Sequence, residues 1–474
     1  MKVYGIDSSV VIFGVTLIAA FFVALLGRRD SKRLTSASLS EHRLNRWLVG
    51  LSAGATANSG FVVTAAVGLG YAFGTRWLLL PLSWLLGDVV FWLFFPQRIN
   101  ARGRVINAKT MTDVIVFGMT DRLRFGLKRT IGLLVILCLA GYVGAQWVAG
   151  QKFLKGAFGF SGVVSLLAFA ALIIGYTAIG GFRGSVYVDS MQAIFRVIGT
   201  VIAIVAVLIA AFRDPSVFKH NLAAAGPDFL HLFPHGSIIA AVPVIVGFGA
   251  AALGFGLGQP QMVTRYLAGA TPEETRSAWL IYNFFVQFTW LAMTSFGILL
   301  RGVMPGIADP ETGLSVFFRA DTGAFFTGII TADIFATIAA TSNSLLVAMA
   351  QSASRDLLGR EEKETAKPEE LWPFTAIIGA VTMLVSLGLH SSVVDLALSS
   401  VSLLGAGLAP AMLIRLLNWR ETDTSLIFTV LVGTSTAVLW RFLGLSGFMN
   451  EAAPGIAFAL LGNFAFTKLH QTKS

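Results

Sequence analysis

Cysteine and negative charge are what this sequence has least of. A single cysteine, Cys138, stands in 474 residues. One thiol excludes an internal disulfide and any cysteine-built metal site. Charged residues are only 13% of the chain, where soluble domains carry about 25%. That is too little to clothe a soluble fold of this length, so a globular soluble enzyme is excluded. A phosphate loop is missing too: no strand precedes the glycine-rich Gly254–Gly258, and no Gly-Lys-Ser/Thr ends it. The histidines, His42, His220, His231, His235, His390 and His470, fall in loops or near the ends of apolar runs. His231 and His235 share a Pro-containing loop with no third ligand in view, so they are expected to be solvated. The chain is therefore read as no enzyme, with no organic cofactor.

What is abundant is apolar. Hydrophobic residues are 55% of the chain, mean hydropathy is +0.75, and there are 49 glycines. Apolar runs of about 20 residues recur, the mark of an all-α polytopic membrane protein with lipid as its surroundings. The net charge of +10 would suit nucleic acid. Its placement argues otherwise: basic residues gather at Arg28–Arg46, Arg98–Arg129, Arg355–Lys367 and Lys468–Lys473, each beside an apolar span. That is the positive-inside pattern, and no nucleic-acid partner is expected.

The runs give about thirteen spans: 8–27, 46–73, 77–98, 128–149, 162–181, 187–212, 237–262, 277–301, 325–353, 372–390, 393–416, 424–443 and 451–467. The first is followed by Arg28, Arg29, Lys32 and Arg33, whereas a cleaved signal peptide carries its charge before the apolar core. The expectation is a multi-pass protein of the inner (plasma) membrane, N-terminus outside and C-terminus cytoplasmic. The inner loops 28–45, 99–127, 265–276, 354–371 and 417–423 then hold most of the basic residues. Loop 99–127 reads as amphipathic and lying on the membrane surface; Arg355–Leu371 reads as solvated.

Two spans are interrupted. Leu51–Phe61, LSAGATANSGF, crowds Gly, Ser, Thr and Asn into an otherwise apolar run. Such a segment is either a helix break lining a cavity or a small-residue packing face. Span 237–262 contains GFGAAALGFGLGQP, where Pro260 removes a backbone donor. Setting aside 8–27 and 424–467 as peripheral leaves ten spans, 46–212 and 237–416, each half opening on an interrupted one. Matching breaks in two halves point to an inverted repeat enclosing a solute site.

The motifs resemble those of the sodium/solute symporter family, and its sodium/proline symporters most. Leu51-Ser52-Ala53-Gly54-Ala55 with Ser59-Gly60 is similar to the first broken helix. Gly175-Tyr176-Thr177, Gly180-Gly181-Phe182, Asp189 and Gln192 resemble one signature; Gly256-Leu257-Gly258-Gln259-Pro260 with Arg265-Tyr266-Leu267-Ala268 resembles another, with Gln261 in place of a histidine. Thr341–Leu358 resembles the helix that carries sodium ligands, and Gly405-Ala406-Gly407 with Pro410 a later stretch. The resemblance implies a LeuT-like five-plus-five inverted repeat, alternating access and symport with sodium. Its sodium site would use backbone carbonyls of Ala55, Asn58 and Ala336, and two hydroxyls at the positions of Ala339 and Ala340. Both hydroxyl positions are alanine, and Ala57 stands where proline symporters have an aspartate. A hard cation wants oxygen ligands, so the site reads as degenerate. Thr341, Ser342 and Ser344 are expected to point elsewhere.

Ionisable residues inside spans are Asp88, Asp189, Arg196, Asp333 and Asp395; such residues are functional candidates by default. Arg196 is expected to replace sodium, paired with Asp333 or Asp189, making transport proton-coupled or uncoupled; a solute sensor is the reading from another class. Asn58, Ser59, Phe61, Asp88, Gln146 and Gln259 are the expected solute contacts, with Ser399 and Ser402 on the wall of the cavity. Helix N-termini at the breaks favour a carboxylate, hence an amino acid such as proline or a small organic acid.

Overall fold

The computed structural model describes residues 2–3, 6–32, 43–159, 161–233, 237–359, 371–388 and 393–471. His42, His235, His390, residues 360–370 of the charged loop and Lys473 lie outside the described residues. Apart from a two-residue antiparallel pair, Lys2–Val3 with Ile6–Asp7, the regular elements described are helices. In chain order they are α1 (Ser8–Lys32), α2 (Arg46–Ala57), α3 (Gly60–Val63), α4 (Ala65–Phe73), α5 (Leu79–Phe94), α6 (Pro96–Ile106), α7 (Met111–Val116), α8 (Asp121–Phe158), α9 (Gly162–Arg213) and α10 (Pro215–Ala224). There follow α11 (Ile238–Gly258), α12 (Pro260–Leu267), α13 (Pro272–Ser277), α14 (Trp279–Val303), α15 (Gly313–Asp321), α16 (Ala324–Gln351), α17 (Trp372–Ser386), α18 (Val393–Leu417), α19 (Asp423–Phe442) and α20 (Ala452–Gln471). Among the described residues, nine helical stretches are long and apolar enough to cross a membrane, and Val11–Leu26, Gly162–Ala178 and Trp372–Ser386 are shorter apolar helices.

Both interruptions are real. α2 ends where Asn58 N–H donates to Gly54 O, and Ser59 then runs extended and caps α3 by accepting from Phe61 N–H. The chain bends again at Thr64 before α4. The break lies at Asn58–Ser59, so Gly54 is inside α2, where it serves the other reading: a Cβ there would run into the Phe285 ring of α14. α11 ends at Gln259, which is extended, and Pro260 opens α12 at a position where a missing N–H costs nothing. α9 holds two helices joined at Gly181, whose φ of 58° and ψ of −161° only glycine adopts readily.

The packing pairs are matched across the two halves. α5 packs on α11, as α14 packs on α2 and α4; α8 packs on α18, as α16 packs on α9. α18 is buried along most of its length, whereas α19 and α20 turn Leu431, Val438, Leu439, Phe458, Leu461 and Phe464 outward, an apolar face suited to lipid.

Loop 99–127, expected to be amphipathic, is helical over most of its length. It forms most of α6, then α7 and the start of α8, and it tucks Met111, Val114 and Ile115 into the core. Thr110 and Asp113 form a capping box for α7. Burial pushes the Asp113 carboxyl up, but Lys128, Arg355 and the N–H groups of Lys109 and Thr110 outweigh it and hold it below its ordinary value.

Candidate functional site

Each break is flanked by buried polar side chains. At the first, Gly60 N–H donates to Gln146 Oε1 (2.9 Å), and Asn58 Nδ2 donates to Thr289 (2.7 Å). That leaves Asn58 Oδ1 and Gln146 Nε2 without partners. At the second, Gln259 Nε2 donates to Val401 O (3.1 Å) on α18, and Gln261 Nε2 donates to Gln259 Oε1 (3.0 Å), leaving Gln261 Oε1 free. The Phe61 ring meets Trp290 at 5.7 Å, and Trp290 meets Trp84 at 5.3 Å, both pairs tilted. Asp88 is buried one turn along α5 from Trp84, and its Oδ2 has no hydrogen-bond partner. Buried polar atoms are nearly always bonded, so a concentration of free ones is the signature of a site meant for something else. Of the wall serines, Ser402 is buried with a free hydroxyl, while Ser399 bonds back to its own helix.

Four of the buried charged side chains form two arginine–aspartate pairs. Arg196 of α9 binds Asp333 of α16. Of the two partners expected for Arg196, Asp333 is therefore the one it takes. Both are buried, and the Asp333 carboxylate lies against Gly199, where a Cβ has no room. Arg196 Nε and Nη2 and Asp333 Oδ1 remain unpartnered. Asp189 instead binds Arg265 of α12, Nη2 to Oδ2 at 2.6 Å. Arg265 stands at the start of the expected inner loop 265–276, yet it is 1% exposed. Its Nε donates to Ser52 (2.6 Å), its Nη1 to Gln261 O (2.5 Å) and its Nη2 also to Ser344 (2.6 Å). Ser185 donates to Asp189 as well (3.3 Å). The guanidinium thus ties α2, α9, α12 and α16 together beside a small cavity lined by Phe182, Gln261, Thr264 and Gln351, among others. Its place in a motif beside a Gly/Pro break was the available signal; simple hydropathy assigned it to the loop because the helix there is only two turns long.

Of the positions expected to hold sodium, only Asn58 carries a side-chain oxygen, its unpartnered Oδ1. Ala55 and Asn58 end α2, and Ala336, Ala339 and Ala340 are buried on α16. Thr341 and Ser344 do not point elsewhere, a correction to the expectation. Thr341 Oγ1 donates to Thr56 O (3.0 Å), and Ser344 Oγ lies 3.1 Å from Thr56 Oγ1. The physical reason is that one helix face spans more than two neighbouring positions: Thr341 and Ser344 flank Ala340 toward α2. Ser342 does turn away, donating to Ile338 O. His231 is exposed beside Asp228.

The chain is similar over nearly its whole length to proteins of known kind. The high-affinity proline transporter PutP of Bacillus subtilis (strain 168) is 25% identical, covering 94% of this chain and 95% of its own. The sodium/proline symporter of Escherichia coli (strain K12) is 24% identical, covering 98% and 93%. The solved structure of a Na+-coupled sialic acid symporter, substrate-bound and outward-open, matches with a TM-score of 0.78 at 18% identity over 97% of this chain and 98% of that one. The fold is the LeuT-like one that the resemblance implies. The sodium:solute symporter model matches residues 38–433, well over half of the sequence. The chain belongs to the sodium:solute symporter family, and it is a secondary active transporter that works by symport.

Proposed function

We propose that the chain carries a small amino acid such as proline, or a small carboxylate, together with sodium, through a site between the two helix breaks. Asn58, Ser59, Phe61, Gln146 and Gln259 contact the solute. The observation that carries this reading is the free polar capacity at the first break: Asn58 Oδ1 and Gln146 Nε2 are buried and unpartnered on either side of Ser59 and Gly60. The names of the relatives support proline as the first solute to try. Uptake of labelled L-proline into proteoliposomes under an inward sodium gradient tests it. Accumulation that collapses when choline replaces sodium is expected; accumulation indifferent to sodium would remove the cation from the reading.

A second reading is supported by one observation. Where the family's hydroxyl ligands stand, this chain has Ala339 and Ala340, and a buried guanidinium, Arg196, lies paired nearby on the same helix interface. On that reading Arg196 supplies the fixed charge and coupling runs on protons or not at all. The comparisons do not favour it, nor a non-transporting sensor. The same choline experiment, repeated across a pH gradient, separates them.

The halves of the transporter are taken as 46–212 and 237–416, supported by the matched packing of α5 on α11 and α14 on α4. The N-terminus lies outside and the C-terminus in the cytoplasm, from the clustering of basic residues. A reporter fused after Gln471 that is active only in the cytoplasm tests this orientation.

A further inference from the structure

Asp88 is a buried carboxylate with no counter-charge. It is 1% exposed, its Oδ2 has no hydrogen-bond partner, and the Tyr282 hydroxyl donates to the carboxylate. Among the described residues no basic side chain pairs with it. Asp189 and Asp333, the carboxylates that face each other's helices elsewhere in the core, each have an arginine. Burying an unpaired carboxylate is costly unless it takes up a proton or meets a cation, and an ionisable residue at such depth is a functional candidate by default.

The surroundings say what compensates it. Trp92, one turn further along α5, meets the Tyr266 ring at 5.3 Å and the Tyr282 ring at 4.9 Å. Trp84 is one turn the other way. The Tyr266 hydroxyl and the indole N–H groups of Trp84 and Trp92 have no partners. A carboxylate neighboured by aromatic side chains offers an ammonium group both a counter-charge and rings to lie against. It is also continuous with the first break. Tyr142 hydrogen-bonds Ser59 and lies close enough to Tyr282 for the two to interact.

We infer that Asp88 is the counter-ion for a positively charged nitrogen on the transported solute, with Trp84, Trp92, Tyr266 and Tyr282 walling the ammonium. The inference rests on the solute site proposed above and narrows it: the solute is an amine-bearing acid, and carboxylates without a basic nitrogen are poor ligands. The solute's nitrogen supplies the charge that the protein itself withholds from Asp88.

The test uses the full chain in proteoliposomes and two probes of one shape, L-proline and (S)-tetrahydrofuran-2-carboxylate, whose ring oxygen replaces the charged nitrogen. The unmodified protein is expected to bind L-proline about a hundredfold more tightly than the oxygen analogue. Asp88→Asn, the same shape without charge, is expected to erase that preference, and Asp88→Glu to retain part of it. A merely structural Asp88 would lower both ligands together and leave their ratio unchanged. A ratio preserved in Asp88→Asn overturns the inference while leaving symport intact, and so does an unmodified protein that takes both probes equally. If the unmodified protein ignores L-proline but takes another amine, proline falls from the proposed function, and the inference is then read from that amine against its uncharged isostere: a preference erased in Asp88→Asn supports it, and a preference preserved overturns it.

Discussion

The two buried arginines of this transporter make unequal use of their surroundings. Arg265 spends all three of its nitrogens on Asp189, Ser52, Ser344 and the Gln261 carbonyl. Arg196 meets Asp333 and leaves Nε and Nη2 without partners. Both pairs join α9 to α16 or its neighbours, and both are out of water. The difference teaches that burial of an ion pair does not by itself mean structural strength. Arg265, whose three nitrogens all find acceptors across four helices, is a brace although Asp189 Oδ1 is left free, whereas the half-satisfied Arg196 is retained at a cost in stability.

The largest way to break the comparison is Arg265→Gln. It leaves Asp189 buried without its cation and is expected to lower stability by about 3–5 kcal/mol, read as the unfolding transition in detergent. An equal tolerance of this change and of Arg196→Met would show that the two pairs do not differ. Next comes the Arg196–Asp333 pair. Arg196→Met and Asp333→Leu are each expected to destabilise by about 3 kcal/mol alone and to recover almost all of it together, since apolar side chains replace a poorly satisfied pair without loss. The corresponding double change at Arg265 and Asp189 is expected not to recover, because Ser52, Ser344 and the Gln261 carbonyl would still be stranded. A thermodynamic cycle on both pairs measures this.

A smaller effect sharpens the comparison at the cation. Ala339→Ser with Ala340→Ser restores two hydroxyls beside Ala336. The half-saturating sodium concentration for uptake is expected to fall about fivefold, each hydroxyl contributing about 0.5–1 kcal/mol. No change would mean that the cation does not visit this face of α16. The smallest effect lies away from both pairs. Asp113 is held below its ordinary value by Lys128 at 3.4 Å and Arg355 at 3.9 Å, against the pull of burial. Its charge therefore stabilises α7 fully above its unfolded value near about 4, and that stability is lost as pH falls through the lower folded value. Asp113→Asn is expected to cost about 1 kcal/mol at neutral pH and to flatten the acid limb of the stability profile.

Composition and spacing were enough for the fold class. Long apolar runs allow only helices, because backbone groups in lipid must bond within their own segment. Gly, Asn, Ser and Pro inside two of those runs were enough for the breaks, since these residues act locally on the backbone. The position of the first break within Leu51–Phe61 was not legible: Gly54 and Ser59 look alike in a sequence, and only the Phe285 ring beside one and the cap made by the other distinguish them. The same limit applied to the charges. The sequence offers Arg196 two partners, Asp333 and Asp189, and it is the packing of α9 on α16 that selects Asp333. Arg265 escaped because its two-turn helix is folded back under α2 and α9, a placement that depends on segments 213 and 76 residues away in the chain. Local chemistry wrote the helices and their interruptions into the sequence. Which charge meets which, and which carboxylate is left alone among rings, was decided by packing, because a buried side chain takes its partner from whatever neighbour the assembled helices bring to it.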